Sequence, residues 1–284
     1  VKPPMNTALR SMLFVPAVNE RFVRKALEVR PDAVVLDLEA SIPEQQKDQA
    51  RDCLAKHICF LKNNNIIVIV RVNRDLIEDY HAAINFGADA LMLPCVEVVD
   101  QVTNAFESVR HLKRSHAVGW LPIIETPMGL LNVRAIASLK VKLWGLLFGA
   151  EDFVLRLGDG VEPSAAALFN GAWQTVLTAS AYGLPCYGIA GTVANFRQDD
   201  AFRRLCEQAK SIGMASCPAI HPRQIEIVHE VFLPSAEELA QAQKLIEQFN
   251  QADHNVMSLD GQMIDYPIYY RAKKLLQKAK LNHD

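Results

Sequence analysis

Residues 66–73 read Ile-Ile-Val-Ile-Val-Arg-Val-Asn. The run is continuously apolar until Arg71, so a strand here has no polar face and must be covered on both sides. It then delivers a cation, Arg71, and an amide, Asn73, at its end. Runs of the same kind recur before and after it: Ser11–Ala17 (SMLFVPA), Ala33–Glu39 (AVVLDLE), Ala90–Val96 (ALMLPCV), Gly119–Thr126 (GWLPIIET), Leu143–Gly149 (LWGLLFG), a short Pro185–Ile189 and Ala215–His221 (ASCPAIH). They are roughly 25 to 40 residues apart, the rhythm of a parallel sheet with helical crossovers. Helical stretches are expected around Arg21–Val29 and Glu44–Leu61, and Gly87 and Gly213 read as helix stops before the next run.

Eight such units predict an α/β fold, a (β/α)8 TIM barrel, over residues 1–232. An open doubly wound sheet is the competitor, but no G-x-G-x-x-G follows the first run, so a dinucleotide-binding fold has no support. Residues 233–284 exceed what barrel closure needs. They carry helical patterns around Ser235–Gln251 and Ile268–Lys280 with a polar stretch between them, and are expected to form a C-terminal helical extension or lid.

Composition narrows the function classes. The chain has 284 residues, 50% hydrophobic and 22% charged, which suits a globular protein with a large core and excludes disordered and fibrous classes. Thirty Lys and Arg against 32 Asp and Glu give a formal charge of -2, so no basic field recruits nucleic acid. The six cysteines include no C-x-x-C pair and lie mostly in apolar stretches, as reduced thiols without a zinc ribbon. The apolar runs fall far short of a membrane span, and the N-terminal stretch lacks a signal-peptide core, so the chain reads as cytoplasmic and not membrane-bound.

In such barrels the chemistry sits at the C-terminal ends of the strands. The runs end in Asp37-Leu38-Glu39, Arg71-Val72-Asn73, Glu125-Thr126 and Gly149-Ala150-Glu151-Asp152. Asp37, Glu39, Arg71, Glu125, Glu151 and Asp152 thus converge on one rim, five of them acids. Crowded acids must be protonated, paired or bound to a cation, and Mg²⁺, which keeps waters for substrate oxygens, is the economical partner. Arg71 would then be free for a substrate carboxylate or an enolate oxygen. The bland alternative is that the acids cap helices or pair with basic residues. Asp37 and Glu39, two apart, share a face of a strand. Glu39 could equally act through metal-bound waters. Of Glu151 and Asp152, at most one points inward if the strand continues.

These strings resemble the citrate lyase beta-subunit family of the HpcH/HpaI aldolase superfamily. The resemblance rests on Arg10-Ser11-Met12-Leu13-Phe14-Val15-Pro16, Asp37-Leu38-Glu39 with Lys47 and Ala50-Arg51 downstream, Arg71-Val72-Asn73, Leu93-Pro94, and Ile124-Glu125-Thr126-Pro127 with Gly129. It continues in Phe148-Gly149-Ala150-Glu151-Asp152, Ile220-His221-Pro222 with Gln224-Ile225, and Asp260-Gly261-Gln262-Met263-Ile264-Asp265. Order and spacing together carry it across nearly the whole chain. It implies a Mg²⁺-dependent carbon–carbon lyase acting on citryl, citramalyl, malyl or related 3-hydroxyacyl thioesters of coenzyme A or an acyl carrier protein. Glu125 and Asp152 would ligate the metal. Arg71 would bind the oxo-acid part and stabilise the enolate, while Arg10, Asp37, Glu39 and Glu125 would line the substrate site. Asp265 would be the lid acid that reaches a neighbouring subunit, which implies a homo-oligomer, commonly a trimer. Thioester hydrolysis or malate synthase-like condensation, a coenzyme A-independent pyruvate aldolase and a catalytically silent barrel remain as alternatives.

The chain departs from the family pattern at Ala40, where an Asp is usual, at Cys95, where a Lys is usual, and at Ser216-Cys217, where Gly-Lys is usual. Glu162-Pro163-Ser164 stands where Ala-Arg-Ser is common. These changes bear on carrier and substrate more than on the metal. His221 could work in acid–base chemistry or order a turn beside Pro222. Cys95 and Cys217 read as packing residues, because an acid-lined rim disfavours a thiolate. Lys47 and Arg51 could hold a nucleotide phosphate or lie solvated on one helix face. Gly158-Asp159-Gly160 reads as a turn, and Trp120, Trp144 and Trp173 as core or interface residues.

Overall fold

The structure is a computed structural model. It describes residues 9–158, 160, 166–194, 196–251, 256–259 and 262–280. The chain divides into two compact units, a barrel unit Ala8–Phe232 and a second unit that holds Leu233–Asp284.

The first half of the barrel unit runs β1 Met12–Pro16, α1 Glu20–Val29, β2 Ala33–Asp37, α2 Lys47–Asn63, β3 Ile67–Arg71, α3 Ile77–Phe86, β4 Ala90–Leu93 and α4 Val99–Val109. The second half runs β5 Gly119–Ile124, α5 Pro127–Leu131, α6 Val133–Ala137, β6 Leu146–Phe148, α7 Ala150–Leu157, α8 Ala166–Ala181, β7 Cys186–Gly188, α9 Asp199–Ser211, β8 Pro218–Ala219 and α10 Pro222–Phe232. The eight strands are ordered β7-β6-β5-β4-β3-β2-β1-β8, and every strand pair is parallel. A single bridge between Tyr187 and Ser216 closes the ring, with Gly188 N–H donating to Ser216 C=O at 3.0 Å and Ala215 N–H to Cys186 C=O at 2.7 Å. The expected (β/α)8 barrel is therefore present. Several strands are shorter than their apolar runs, β8 most of all, because the outer residues of those runs form the turns into the helices.

Strand parity explains the two cores. Outward residues such as Val34, Leu36, Val68, Val70, Leu91 and Phe148 pack under the helices. Inward residues such as Met12, Val35, Ile69, Met92, Ile123 and Leu147 fill the barrel. The inward face of β2 thus runs Ala33, Val35, Asp37, and that of β3 runs Ile67, Ile69, Arg71. The last member of each set is charged and sits at the C-terminal end of the barrel, where five-residue registers pair Asp37 with Arg71 across neighbouring strands.

The second unit holds α11 Ala236–Gln251, β9 Met257–Leu259, β10 Gln262–Ile264 and α12 Tyr266–Lys280. The stretch expected to be merely polar contains an antiparallel hairpin, β9 on β10. Phe249 of α11 stacks on Tyr269 of α12, ring centroids 4.6 Å apart. Among the described residues no helix is long and apolar enough to cross a membrane, and all six cysteines are free.

Candidate active site

Five of the rim residues singled out in the sequence line one cavity of about 500 Å³: Asp37, Arg71, Glu125, Glu151 and Asp152. Local sequence places each of them. Thr126 caps α5, its Oγ1 accepting from Gly129 N–H at 2.9 Å with Pro127 at the first helical position, so the chain turns at once and leaves Glu125 at the mouth of β5. Gly149 ends β6 and brings α7 in directly. A Cβ on Gly149 would stand 2.6 Å from Glu125 Oε2, so the missing side chain is what seats that carboxylate. Because the chain is helical from Ala150, Glu151 and Asp152 both fall in the first turn of α7 and both line the cavity. The strand geometry that would admit only one of them does not apply.

Arg71 is held rather than free. Its Nε donates to Asp37 Oδ1 at 2.6 Å and its Nη2 to Asp37 Oδ2 at 2.7 Å, while Nη1 lies 3.2 Å from Glu39 Oε2. Its guanidinium carbon also stands 5.3 Å from the centre of the Phe14 ring. Asp37 accepts further from the Glu39 and Ser41 backbone N–H groups at 3.0 and 2.9 Å. Burial works against the Asp37 charge, but Arg71 and these donors outweigh it and hold the carboxyl below its ordinary range. Asp37 and Glu39 therefore orient Arg71, leaving N–H groups of the guanidinium for a ligand.

Glu125 has the opposite environment. Burial, reinforced by the nearby Asp152 charge, pushes its carboxyl up to about 7 against the pull of the Cys95 N–H and Arg71. The Cys95 N–H donates to Glu125 Oε1 at 2.6 Å, from a residue in the left-handed conformation with φ 51°. The Cys95 thiol accepts from Arg156 Nη2 at 3.4 Å, and burial together with Glu125 pushes it up to about 12, which keeps it a thiol.

Arg10 is not brought to this site. It precedes β1 and chelates Asp32, which precedes β2, at the N-terminal end of the barrel. The motif at the head of β1 puts this arginine at the wrong end of the strand for substrate, and its assignment to the cavity is corrected accordingly. Glu39 does not line the cavity and acts through Arg71. Asp265 belongs to the second unit, where its Oδ1 accepts from Ile268 N–H at 3.2 Å and caps α12.

The remaining candidates divide as follows. His221 lines the cavity mouth, its Nδ1 accepting from Arg223 N–H at 3.2 Å and its ring stacked on Phe196 at 4.7 Å. Burial, with Arg223 and Lys25 nearby, lowers its pKa. Lys47 is bonded to Asn73 and Glu44, and Arg51 to Asp79 and Asp48, so both serve the scaffold. Cys217 is fully buried. Trp120 is core, whereas Trp173 is 45% exposed. Asp159, Glu162, Pro163, Ser164, Asp260 and Gly261 lie outside the described residues. Residue-type reasoning missed the Cys95 N–H, because any residue supplies a backbone donor. It also missed Phe14, although the alternation of Met12 and Phe14 on β1 places that ring inward.

A barrel whose C-terminal mouth gathers a partly buried arginine and several acids is an enzyme, and its relatives identify the class as carbon–carbon lyases. The chain matches the HpcH/HpaI aldolase/citrate lyase family over residues 10–222 and belongs to that family. It is 30% identical to the citrate lyase subunit beta of Haemophilus influenzae over 95% of this chain and 97% of that one. It is 31% identical to a (3S)-malyl-CoA thioesterase of Cereibacter sphaeroides over 95% of this chain and 94% of that one. Among solved structures, CitE of Mycobacterium tuberculosis in complex with magnesium, acetoacetate and coenzyme A superposes with a TM-score of 0.81. That protein is 25% identical, and the match covers 98% of this chain and 100% of that one.

Proposed function

We propose that this chain is a Mg²⁺-dependent lyase that cleaves a 3-hydroxyacyl-CoA of the malyl, citramalyl or citryl type to acetyl-CoA and a 2-oxo acid. The observation that carries the reading is the placement of Glu125 and Asp152 in one cavity beside an Arg71 already oriented by Asp37. The donor set fits the metal. Two carboxylates with room for waters and substrate oxygens suit Mg²⁺, and among the described residues no group of three or more His, Cys, Asp or Glu side chains forms a closed cage. Burial first, and the Asp152 charge second, raise the cost of ionising Glu125, and a bound cation would offset both.

Glu125 and Asp152 hold the metal in this reading. When bound, Mg²⁺ would supply Lewis acidity that eases transfer of the substrate 3-hydroxyl proton to water. The bond between the hydroxyl-bearing carbon and the thioester α-carbon then breaks, and its electron pair passes to the thioester as an enolate. Arg71 faces the cavity with its charge fixed in place and stabilises the enolate oxygen without reorganising. Asp265, on the lid that the family extends to a neighbouring subunit, is the proposed donor of the proton to the enolate carbon, which makes the enzyme a homo-oligomer, a trimer by family analogy. The relative named as a thioesterase supports a second reading, in which the same site hydrolyses the thioester.

Purified protein is incubated with citryl-, citramalyl- and malyl-CoA and Mg²⁺. Acetyl-CoA and a 2-oxo acid should appear, stop with EDTA and resume with added Mg²⁺. Free coenzyme A with an intact hydroxy acid selects the hydrolytic reading, and no turnover of any of the three rejects the lyase.

A further inference from the structure

Leu38 stands between the two carboxylates that grip Arg71, and it is fully buried. Its N–H donates to Arg71 C=O at 3.0 Å, and its C=O accepts from Asn73 Nδ2 at 2.7 Å. That carbonyl and the Glu39 N–H belong to one planar trans peptide unit and point in opposite directions. The Glu39 N–H donates to Asp37 Oδ1 at 3.0 Å, and the same oxygen accepts from Arg71 Nε at 2.6 Å. A continuous chain of hydrogen bonds thus runs from the Asn73 amide, through the Leu38–Glu39 peptide and the Asp37 carboxylate, to the guanidinium at the cavity.

Asn73 is itself fixed from three sides. Its Nδ2 also donates to Asp79 Oδ2 at 2.7 Å, its backbone N–H reaches the same oxygen at 2.9 Å, and its Oδ1 accepts from Lys47. Asp79 is fully buried, and its other oxygen accepts from Arg51 Nε at 2.9 Å. Both protons of the amide and its oxygen are engaged, so the side chain has one orientation. Without it the Leu38 carbonyl is stranded away from water, and the peptide must turn to find another donor. That turn carries the Glu39 N–H off Asp37. We propose that Asn73 is a positioning residue for Arg71: through the Leu38–Glu39 peptide it sets the carboxylate that aims the guanidinium into the cavity. The kinetic consequence rests on the lyase reading; the geometric one does not.

The test is a double-mutant cycle on the thioester that is turned over. Asn73→Ala should lower kcat/KM by about 30-fold, short of the roughly 100-fold that a 1 Å misplacement can cost. In an Arg71→Leu background the same change should cost less than about threefold, because the group it acts through is gone. A residue that only supports the scaffold loses equally in both backgrounds, and that result overturns the proposal. If no thioester is turned over, the lyase reading fails, and nuclear magnetic resonance decides this point separately. The Arg71 Nε–H signal, assigned by its loss in Arg71→Leu, should in Asn73→Ala move upfield and exchange with water about tenfold faster, as a lengthened bond to Asp37 allows. An unmoved signal overturns the proposal. If Asn73→Ala does not fold, Asn73→Ser, which keeps a hydroxyl for Asp79 but is too short to reach Leu38, takes its place. Failure of both to fold makes the amide a support of the barrel and overturns the proposal.

Discussion

Both ends of the barrel carry an arginine–aspartate pair, and the two are built for different ends. At the N-terminal end Arg10 chelates Asp32. The Asp32 N–H donates to Ser11 Oγ at 3.0 Å, that hydroxyl meets His229 Nε2 at 2.8 Å, and Ser216 Oγ donates to Arg10 C=O at 2.5 Å. The bonds of that network run between barrel residues. At the C-terminal end Arg71 and Asp37 meet in similar geometry, but the guanidinium faces a cavity and has Glu125 and Asp152 as neighbours beyond its partner. The chemistry of a pair does not reveal its role; what lies on its open side does.

Crossed substitutions should separate the two ends, and the largest effect is expected at the cavity. Arg71→Leu should lower kcat/KM by about 1,000-fold, the scale of losing a preorganised oxyanion partner. Arg10→Leu should leave kcat/KM within about threefold and lower folding stability by roughly 1–3 kcal/mol, through the hydrogen bonds it strands. Kinetics and urea unfolding on the two variants measure both quantities, and a large kinetic loss in Arg10→Leu would break the distinction.

A smaller effect concerns Asp37. Its carboxyl is held below the unfolded value of 3.8, so the folded protein binds fewer protons than the unfolded chain as pH falls through that range. The stabilisation is complete at neutral pH and is lost as pH drops below about 3.8 through the folded value. Asp37→Asn should therefore be less stable than wild type near neutrality, with the gap closing in strong acid. A gap independent of pH would show that the charge on Asp37 contributes nothing.

The smallest change is expected at Cys95→Gly. The substitution keeps the N–H that holds Glu125 and suits the left-handed backbone, so Mg²⁺ affinity by calorimetry should stay within about twofold and stability within about 1 kcal/mol. A tenfold loss of affinity would give the thiol, or Arg156 through it, a part in seating the metal.

Much of the barrel was legible because strands buried on both faces are written as unbroken apolar runs, and the period of two then fixes Asp37 and Arg71 as inward neighbours. The partnership between them was not legible. Arg71 read as a free cation because the sequence shows which face a side chain takes but not which group on the next strand stands opposite. Arg10 was misplaced for a related reason, since a charged residue beside an apolar run can cap either end of a strand. Glu151 and Asp152 were judged on strand geometry, whereas Gly149 hands the chain directly to a helix and presents both. The hairpin at Met257–Ile264 was hidden by segments of only three residues on each side.

The ring of strands is stitched unevenly. β1, β2 and β3 share five-residue registers, while β7 meets only Ser216, ahead of β8, at one bridge. The ion pair occupies the stiff arc, and Ile189 and Pro218 border the loosely joined one. Local opening of the barrel should therefore begin at that joint, and amide exchange at Gly188 and Ala215 should run faster than at Leu38, whose N–H donates to Arg71 C=O.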